Sequence, residues 1–202
     1  HFARNLAEYP FVSRLDATRA REMIGRIGEI LEKNGFSRLD FADISRTTAQ
    51  SLVEKHYASP AFVRESIPHA LFLNEPCNLS VMVCEEDHIR LQCTLSGLSL
   101  HDAYTGACKI ESLLDSCFGF AFDKKYGYLP GSPANLGTAM PMSVMLCLPM
   151  LTSSGRMESL TLQLGQLGLM IRGAYGEGSE AIGSLYQISN RTTLGMTEEE
   201  RF

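Results

Sequence analysis

Between residues 16 and 34 the chain reads DATRAREMIGRIGEILEKN, with apolar Ala20, Met23, Ile24, Ile27, Ile30 and Leu31 at intervals of three and four. That period predicts an amphipathic helix, capped by Asp16 and stopped at Gly35. A second, more polar helix is predicted over TTAQSLVEKHYA before Pro60, and the stretch from there to Pro76 reads as a loop-rich connector. From Leu79 the pattern becomes short and β-rich: LSVMVCE and HIRLQCTL predict two adjacent antiparallel strands around an acidic turn at Glu86 and Asp87. A long helix over about 99–121 follows, then a loop, an apolar strand at about 143–148, a helix near 156–166 and the strand LGLMIRG. Gly173, Gly176, Gly178 and Gly183 punctuate a predicted mobile loop before a last strand, SLYQIS. No internal repeat or linker interrupts the 202 residues. The expected class is therefore α+β, a mainly antiparallel sheet flanked by helices, over 1–202 as a single region. Its first 60 or so residues are expected to form a helical part and residues 61–202 a sheet-based lobe.

Composition adds exclusions. With 45% hydrophobic and 20% charged residues the chain is an ordinary globular one. Its net charge of −5 argues against nucleic acid or an anionic membrane as partner, since both attract clustered Lys and Arg. No apolar run reaches 18 residues and the first residues lack a signal pattern, so a cytoplasmic protein is expected. Six cysteines include no C-x-x-C pair and sit mostly in apolar segments, which predicts buried free thiols and no metal site.

Three segments look unlike packing. CEEDHIR crowds three carboxylates, an imidazole and a guanidinium into seven residues; SPANLGTAM is a small-residue loop of the kind that cradles anions with backbone N–H groups; RGAYGEGSEA joins an arginine to two glutamates through glycines. Each alone is as well explained by a solvated surface loop.

Taken in order, CEEDHIR, YGYLPGSPANLGT, IRGAYGEGSEA and YQISNRTTLG resemble the ATP:guanidino phosphotransferase (phosphagen kinase) family, and DHIRLQC, YGEGSEA and YQISN look most like its bacterial protein-arginine kinases. LVEKHYASP and the opening ARNL also match. The resemblance implies a glutamine synthetase-like catalytic fold, with ATP and Mg2+ as cofactors. It implies phosphoryl transfer from ATP to arginine side chains of protein substrates, with room for a homo-oligomer or partner subunit. It makes Glu86 and Glu177 the catalytic carboxylates, with Ser132 beside the guanidinium. The implied nucleotide site comprises His56, Arg90, Arg172, Gly173, Ala174, Tyr175 and Gly176, together with the strand Pro141, Met142, Ser143, Val144 and Met145.

The chain also departs from the family's pattern. Ser132 stands at the place of a cysteine, Pro141 at that of a phosphate-binding arginine, Ala134 at a Ser/Thr position, Ala139 at a glycine, and Cys84 at the usual Asn. By the same resemblance His1 stands where the family has an arginine, and the family's further arginine before it and its C-terminal region are expected to be lacking from this chain. These departures support an alternative function, a non-catalytic pseudokinase or regulatory binding module, and beyond it an unselected fragment.

Overall fold

The computed structural model describes residues 1–174 and 181–194, which fall into two compact units, His1–Met140 with Leu194, and Pro141–Thr193. In the first, strands β1 (Phe2–Arg4), β2 (Phe36–Asp40), β3 (Ala70–Asn74), β4 (Leu79–Val83) and β5 (Ile89–Cys93) form an antiparallel sheet in the order β1-β5-β4-β3-β2. Helix α1 (Ala17–Lys33) begins as predicted, with the Asp16 carboxylate accepting the N–H groups of Thr18 and Arg19. It buries Ala20, Met23, Ile24, Ile27 and Leu31, an apolar stripe in which each large side chain contributes about 1.5–3 kcal/mol. Gly28 on the same stripe lets it approach the Phe72 ring, which a Cβ would meet at 3.3 Å. Helix α2 (Arg46–Glu54) and α3 (Leu100–Phe118) complete the unit's longer elements, with a small hairpin of β6 (Phe122–Asp123) and β7 (Gly127–Tyr128).

Alternation along the strands gives the sheet two faces. Leu71, Leu73 and Met82 join Leu52, Ala58 and Phe62 in a core beneath α2 and the turn that follows it. On the same face of β5, next to Met82 and Ser80, stand Arg90 and Gln92. The face thus passes from an apolar half to a polar half, and the polar half carries the candidate site.

In the second unit β8 (Ser143–Cys147), β9 (Leu169–Gly173) and β10 (Leu185–Asn190) make an antiparallel sheet ordered β8-β10-β9, with α4 (Pro149–Ser153) and α5 (Met157–Gln166) between β8 and β9 in the chain.

The connector expected before Pro76 is instead partly a central strand. Residues Ala70–Leu73 of β3 are buried, paired with β2 on one side and β4 on the other. A strand covered on both faces reads as a continuous apolar run without alternation, and Pro68 and Pro76 at its ends gave it the look of a loop. The first 60 residues likewise contain two strands, β1 and β2, beside their helices. All six thiols are free, but only Cys84 is fully buried; Cys117 and Cys147 are exposed. Cys147 sits in an apolar segment that proves to be an outward-facing strand end.

Candidate active site

The acidic turn closes the β4–β5 hairpin. Cys84 enters it with φ of +66°, its N–H donates to the His88 carbonyl at 3.0 Å, and the Glu85 N–H donates to the Asp87 carbonyl at 3.1 Å. A left-handed residue is costly for most side chains but tolerated by Asn, a backbone reason for the family's usual residue where Cys84 stands. Burial pushes the Cys84 thiol up to about 12, with the charge of Glu65 adding to it. Cys84 is thus an inert packing group.

The three carboxylates of the turn have different surroundings. Glu85, 6% exposed, accepts a very short hydrogen bond from the Ser59 hydroxyl and lies 3.2 Å from Nη1 of Arg90 through both its oxygens. Asp87, 3% exposed, uses Oδ1 to accept the amide of Asn5 and the backbone N–H of Gly131, each at 2.6 Å. Burial raises the Asp87 pKa even against those two bonds, which favour its charged form. Glu86, between them, is exposed. His88 is fully buried: Nδ1 accepts the Leu6 N–H at 3.0 Å and Nε2 meets the Pro10 carbonyl at 2.8 Å. The imidazole is therefore a neutral Nε2–H tautomer, and burial lowers its pKa.

The small-residue loop adjoins this turn. A Cβ on Gly131 would sit 2.8 Å from the Glu86 carbonyl oxygen, so Ser132 follows directly on a point of contact with the Glu86 backbone. Pro133–Asn135 form a single 3-10 turn, and Gly127 packs so closely on Gly137 that a Cβ there would lie 2.3 Å from its carbonyl oxygen. Ala139, where the family has glycine, takes a φ of +46°, a conformation glycine adopts without strain.

His56 lies at the end of α2. Its N–H donates to the Val53 carbonyl at 2.9 Å and that of Tyr57 to the Leu52 carbonyl at 2.9 Å, a Schellman closure with His56, φ +58°, in the position usually given to glycine. Gln92 Nε2 donates to the His56 carbonyl at 2.5 Å, fastening this corner beside Arg90 on β5. Burial lowers the His56 pKa, so the ring is neutral near pH 7. Within the first unit the structure therefore gathers Arg90 and His56 beside one edge of the acidic turn and Ser132 beside the other. The Arg90 Nε is buried with no hydrogen-bond partner, an open donor on a side chain 29% exposed.

In the second unit Met145 of β8 stands opposite Gln187 of β10, which stands opposite Arg172 of β9. These three and Ser143, which accepts from Gln187 Nε2 at 2.7 Å, share one face, whereas alternation puts Val144 and Gly173 on the other. Gln187 was not anticipated; its only sequence signal is its place in YQISN. Met142 is held by its N–H to Asn190 Oδ1 at 2.7 Å. Pro141 and Ala174 lie at the ends of this unit's sheet region, and Tyr175, Gly176 and Glu177 lie outside the described residues, as does most of the glycine loop. An open cleft of about 460 Å³ between α5 and β9, lined by Met170 and Ile171 among others, touches none of these positions.

The chain is a guanidino phosphotransferase by family: residues 20–202 match the ATP:guanido phosphotransferase C-terminal catalytic domain. Among curated relatives it is 39% identical over 201 residues to the protein-arginine kinase of Halothermothrix orenii, covering 98% of this chain and 58% of that protein. It is 41% identical over 205 residues to that of Syntrophomonas wolfei, covering 98% and 57%. The chain thus spans well under two thirds of these relatives' length. Among solved structures, the duplicated taurocyamine kinase of Schistosoma mansoni, with bound transition state analog components, superposes with a TM-score of 0.84 at 25% identity, over 98% of this chain and 29% of that one. Lombricine kinase, at 21% identity and a TM-score of 0.79 over 98% and 59%, shares the fold.

Proposed function

We propose that this chain is the catalytic region of a protein-arginine kinase, transferring the γ-phosphoryl group of Mg·ATP to the guanidinium of a protein-bound arginine. The observation that carries this reading is the sorting of the acidic turn: Glu85 and Asp87 are buried and engaged, and Glu86 alone of the three is turned to solvent. A guanidinium has a pKa above 12 and attacks only as its proton is drawn off, so it needs an accessible carboxylate to hold its N–H fork and take that proton. Glu86 supplies it, with Glu177 as second carboxylate. As the guanidinium nitrogen bonds to the γ-phosphorus, the bond to the bridging oxygen breaks, ADP departs and the proton passes to Glu86. The remaining task is charge neutralisation, for which Arg90 and Arg172 are the candidate anion ligands. Magnesium enters with the nucleotide. Among the described residues no group of three or more His, Cys, Asp or Glu is placed to hold a metal, which suits an ion carried mainly by phosphate oxygens. No described helix is long and apolar enough to cross a membrane.

Incubation with radiolabelled Mg·ATP and an arginine-rich protein tests this directly. Label that is retained at neutral pH and lost in acid, as an N–P bond requires, is the expected result; its absence from a folded sample overturns the reading.

A second reading, a nucleotide- or guanidinium-binding module without catalysis, is favoured by Arg90 being already ion-paired to Glu85 and by Pro141, which offers no donor where the family has an arginine. The two readings separate on Pro141→Arg. One transition-state arginine contributes ~10³ to 10⁵ in rate, so a gain of tenfold or more is expected if the machinery is otherwise intact, and none if it is not.

A further inference from the structure

Asn5 and Asp87 of the acidic turn are 82 residues apart in sequence, yet Asn5 is 3% exposed and bonded to the turn through both its amide oxygen and its amide nitrogen. Its Oδ1 accepts the His88 backbone N–H at 2.9 Å, and its Nδ2 donates to Asp87 Oδ1 at 2.6 Å and to the Leu129 carbonyl at 3.0 Å. Asp87 Oδ1 in turn accepts the Gly131 N–H at 2.6 Å. We infer that Asn5 is a positioning residue for phosphoryl transfer: through Asp87 it clamps the acidic turn to the backbone leading into Ser132, and so fixes where Glu86 stands.

The geometry gives the clamp its specificity. Residue 5 must present an acceptor to one amide of the turn and a donor to a carboxylate two atoms away, which among side chains of this length only Asn does without a formal charge. Asp87 must present one oxygen to two donors at once. Between these anchors lies Glu86, whose backbone oxygen is against Gly131 and whose side chain is outside. The turn cannot shift relative to residues 129–131 without breaking at least one of these four bonds. A buried acceptor left unsatisfied costs far more than the bond contributes, so the arrangement resists partial opening. Neither Asn5 nor Asp87 needs to touch substrate. Their effect is on placement, and a displacement of 1 Å at a reacting group is enough to lose about a hundredfold in rate.

This inference rests on the protein-arginine kinase reading, so the experiment has one readout that depends on activity and one that does not. Backbone amide exchange is followed at His88 and Gly131, and kcat and the KM for ATP are taken from acid-labile phosphate on an arginine-rich protein, at a temperature where every variant is folded. In Asn5→Ala the two amides are expected to lose protection together, by tenfold or more, while those of α1 do not change. kcat should fall about 10- to 100-fold with KM for ATP within about twofold. The decisive variant is the double one. Asn5→Ala and Asp87→Ala each break the same run of bonds, so in Asn5→Ala with Asp87→Ala both kcat and the protection of Gly131 are expected to fall little below the poorer single variant.

Unchanged exchange at Gly131 in Asn5→Ala, or a double variant whose kcat loss is the product of the two single losses, overturns the clamp. A kcat that falls only with the folded fraction reduces Asn5 to a structural residue and overturns it equally. Should Asn5→Ala not fold, Asp87→Ala decides alone: exchange protection at Gly131 and kcat are both expected to fall, and either one unchanged overturns the clamp. Should the unmodified chain form no phosphoarginine, the functional reading fails while coupled exchange at the two amides still supports the clamp.

Discussion

The acidic turn and the small-residue loop touch at Glu86 and Gly131 but are held in different ways. The turn is fixed by side chains: Glu85 to Ser59 and Arg90, Asp87 to Asn5 and Gly131, His88 to Leu6 and Pro10. The loop is fixed by backbone: the Tyr128 N–H donates to the Gly137 carbonyl at 2.9 Å, that of Asn135 to Ser132 at 3.0 Å and that of Leu136 to Pro133 at 3.2 Å, and close approach is secured by glycines. Buried Arg4 joins the loop's far end to the sheet, giving Nη1 to the Thr138 carbonyl and Nε to Glu111, both at 2.8 Å, over the Tyr128 ring at 3.5 Å. A region built from side chains fails when their chemistry changes; one built from backbone tolerates new side chains until space runs out.

The sharpest way to break this contrast is Glu86→Gln. The amide keeps the shape of the one outward carboxylate but takes no proton and balances no guanidinium, so kcat should fall by about 10²- to 10⁴-fold. The thermal midpoint should move little, because the Glu86 side chain is exposed. A parallel fall in stability would show that Glu86 belongs to the turn's scaffold and not to its chemistry.

Next in size is Gly127→Ala. Gly127 combines a φ of +77° with a Cβ position 2.3 Å from the Gly137 carbonyl, so the backbone must separate. A loss of about 2–4 kcal/mol in denaturant unfolding is expected, against less than about 1 kcal/mol for Ala134→Ser in the exposed 3-10 turn. Equal effects at the two positions would mean that the loop's backbone contacts do not carry its stability.

How much of this was visible beforehand follows the same divide. The α1 stripe and its Asp16 cap, the β4–β5 hairpin and the long α3 are local patterns, and the sequence displays them. Strand β3 is not, because burial on both faces erased its alternation. Nor is β1, a three-residue strand with a buried Arg4 whose partners Glu111 and Thr138 lie more than a hundred residues away. The crowding of CEEDHIR singles out the turn, yet which of its carboxylates faces outward depends on Ser59, Asn5 and Gly131, none of them near in sequence. The Asn5 contact left no local signal at all.

A gentler probe of the turn is pH. His88 is buried neutral with its pKa lowered, so the unfolded chain binds more protons than the folded one wherever the free imidazole protonates. Its contribution is complete above pH ~6.5, the ordinary histidine value, and declines as pH falls below it. His56, lowered by burial as well, adds in the same direction. Urea midpoints should therefore drop between pH 7 and 5.5, and the drop should shrink in His88→Gln even though that variant is less stable throughout. A midpoint independent of pH across this range would remove His88 from the account.

The smallest effect is expected at Ser132. Its side chain is half-buried at the start of the 3-10 turn and follows the Gly131 contact with Glu86, so Ser132→Cys changes one atom in a loop whose structure is backbone-made. Stability should stay within about 0.5 kcal/mol. A thiolate beside the guanidinium would add negative charge where positive charge is held, but the neighbouring Glu86 carboxylate opposes ionisation and raises the thiol's pKa. The gain in kcat should accordingly be only a few-fold near pH 7 and should grow toward pH 9. It should also stay well below the gain from Pro141→Arg, because a tuning contact contributes less than a fixed cation at the transferring phosphate. A pH-independent increase would show that sulfur acts there as a polarizable neighbour and not as an anion. An increase exceeding that of Pro141→Arg would mean that the small-residue loop governs the reaction through its side chains, and that its contrast with the acidic turn does not hold.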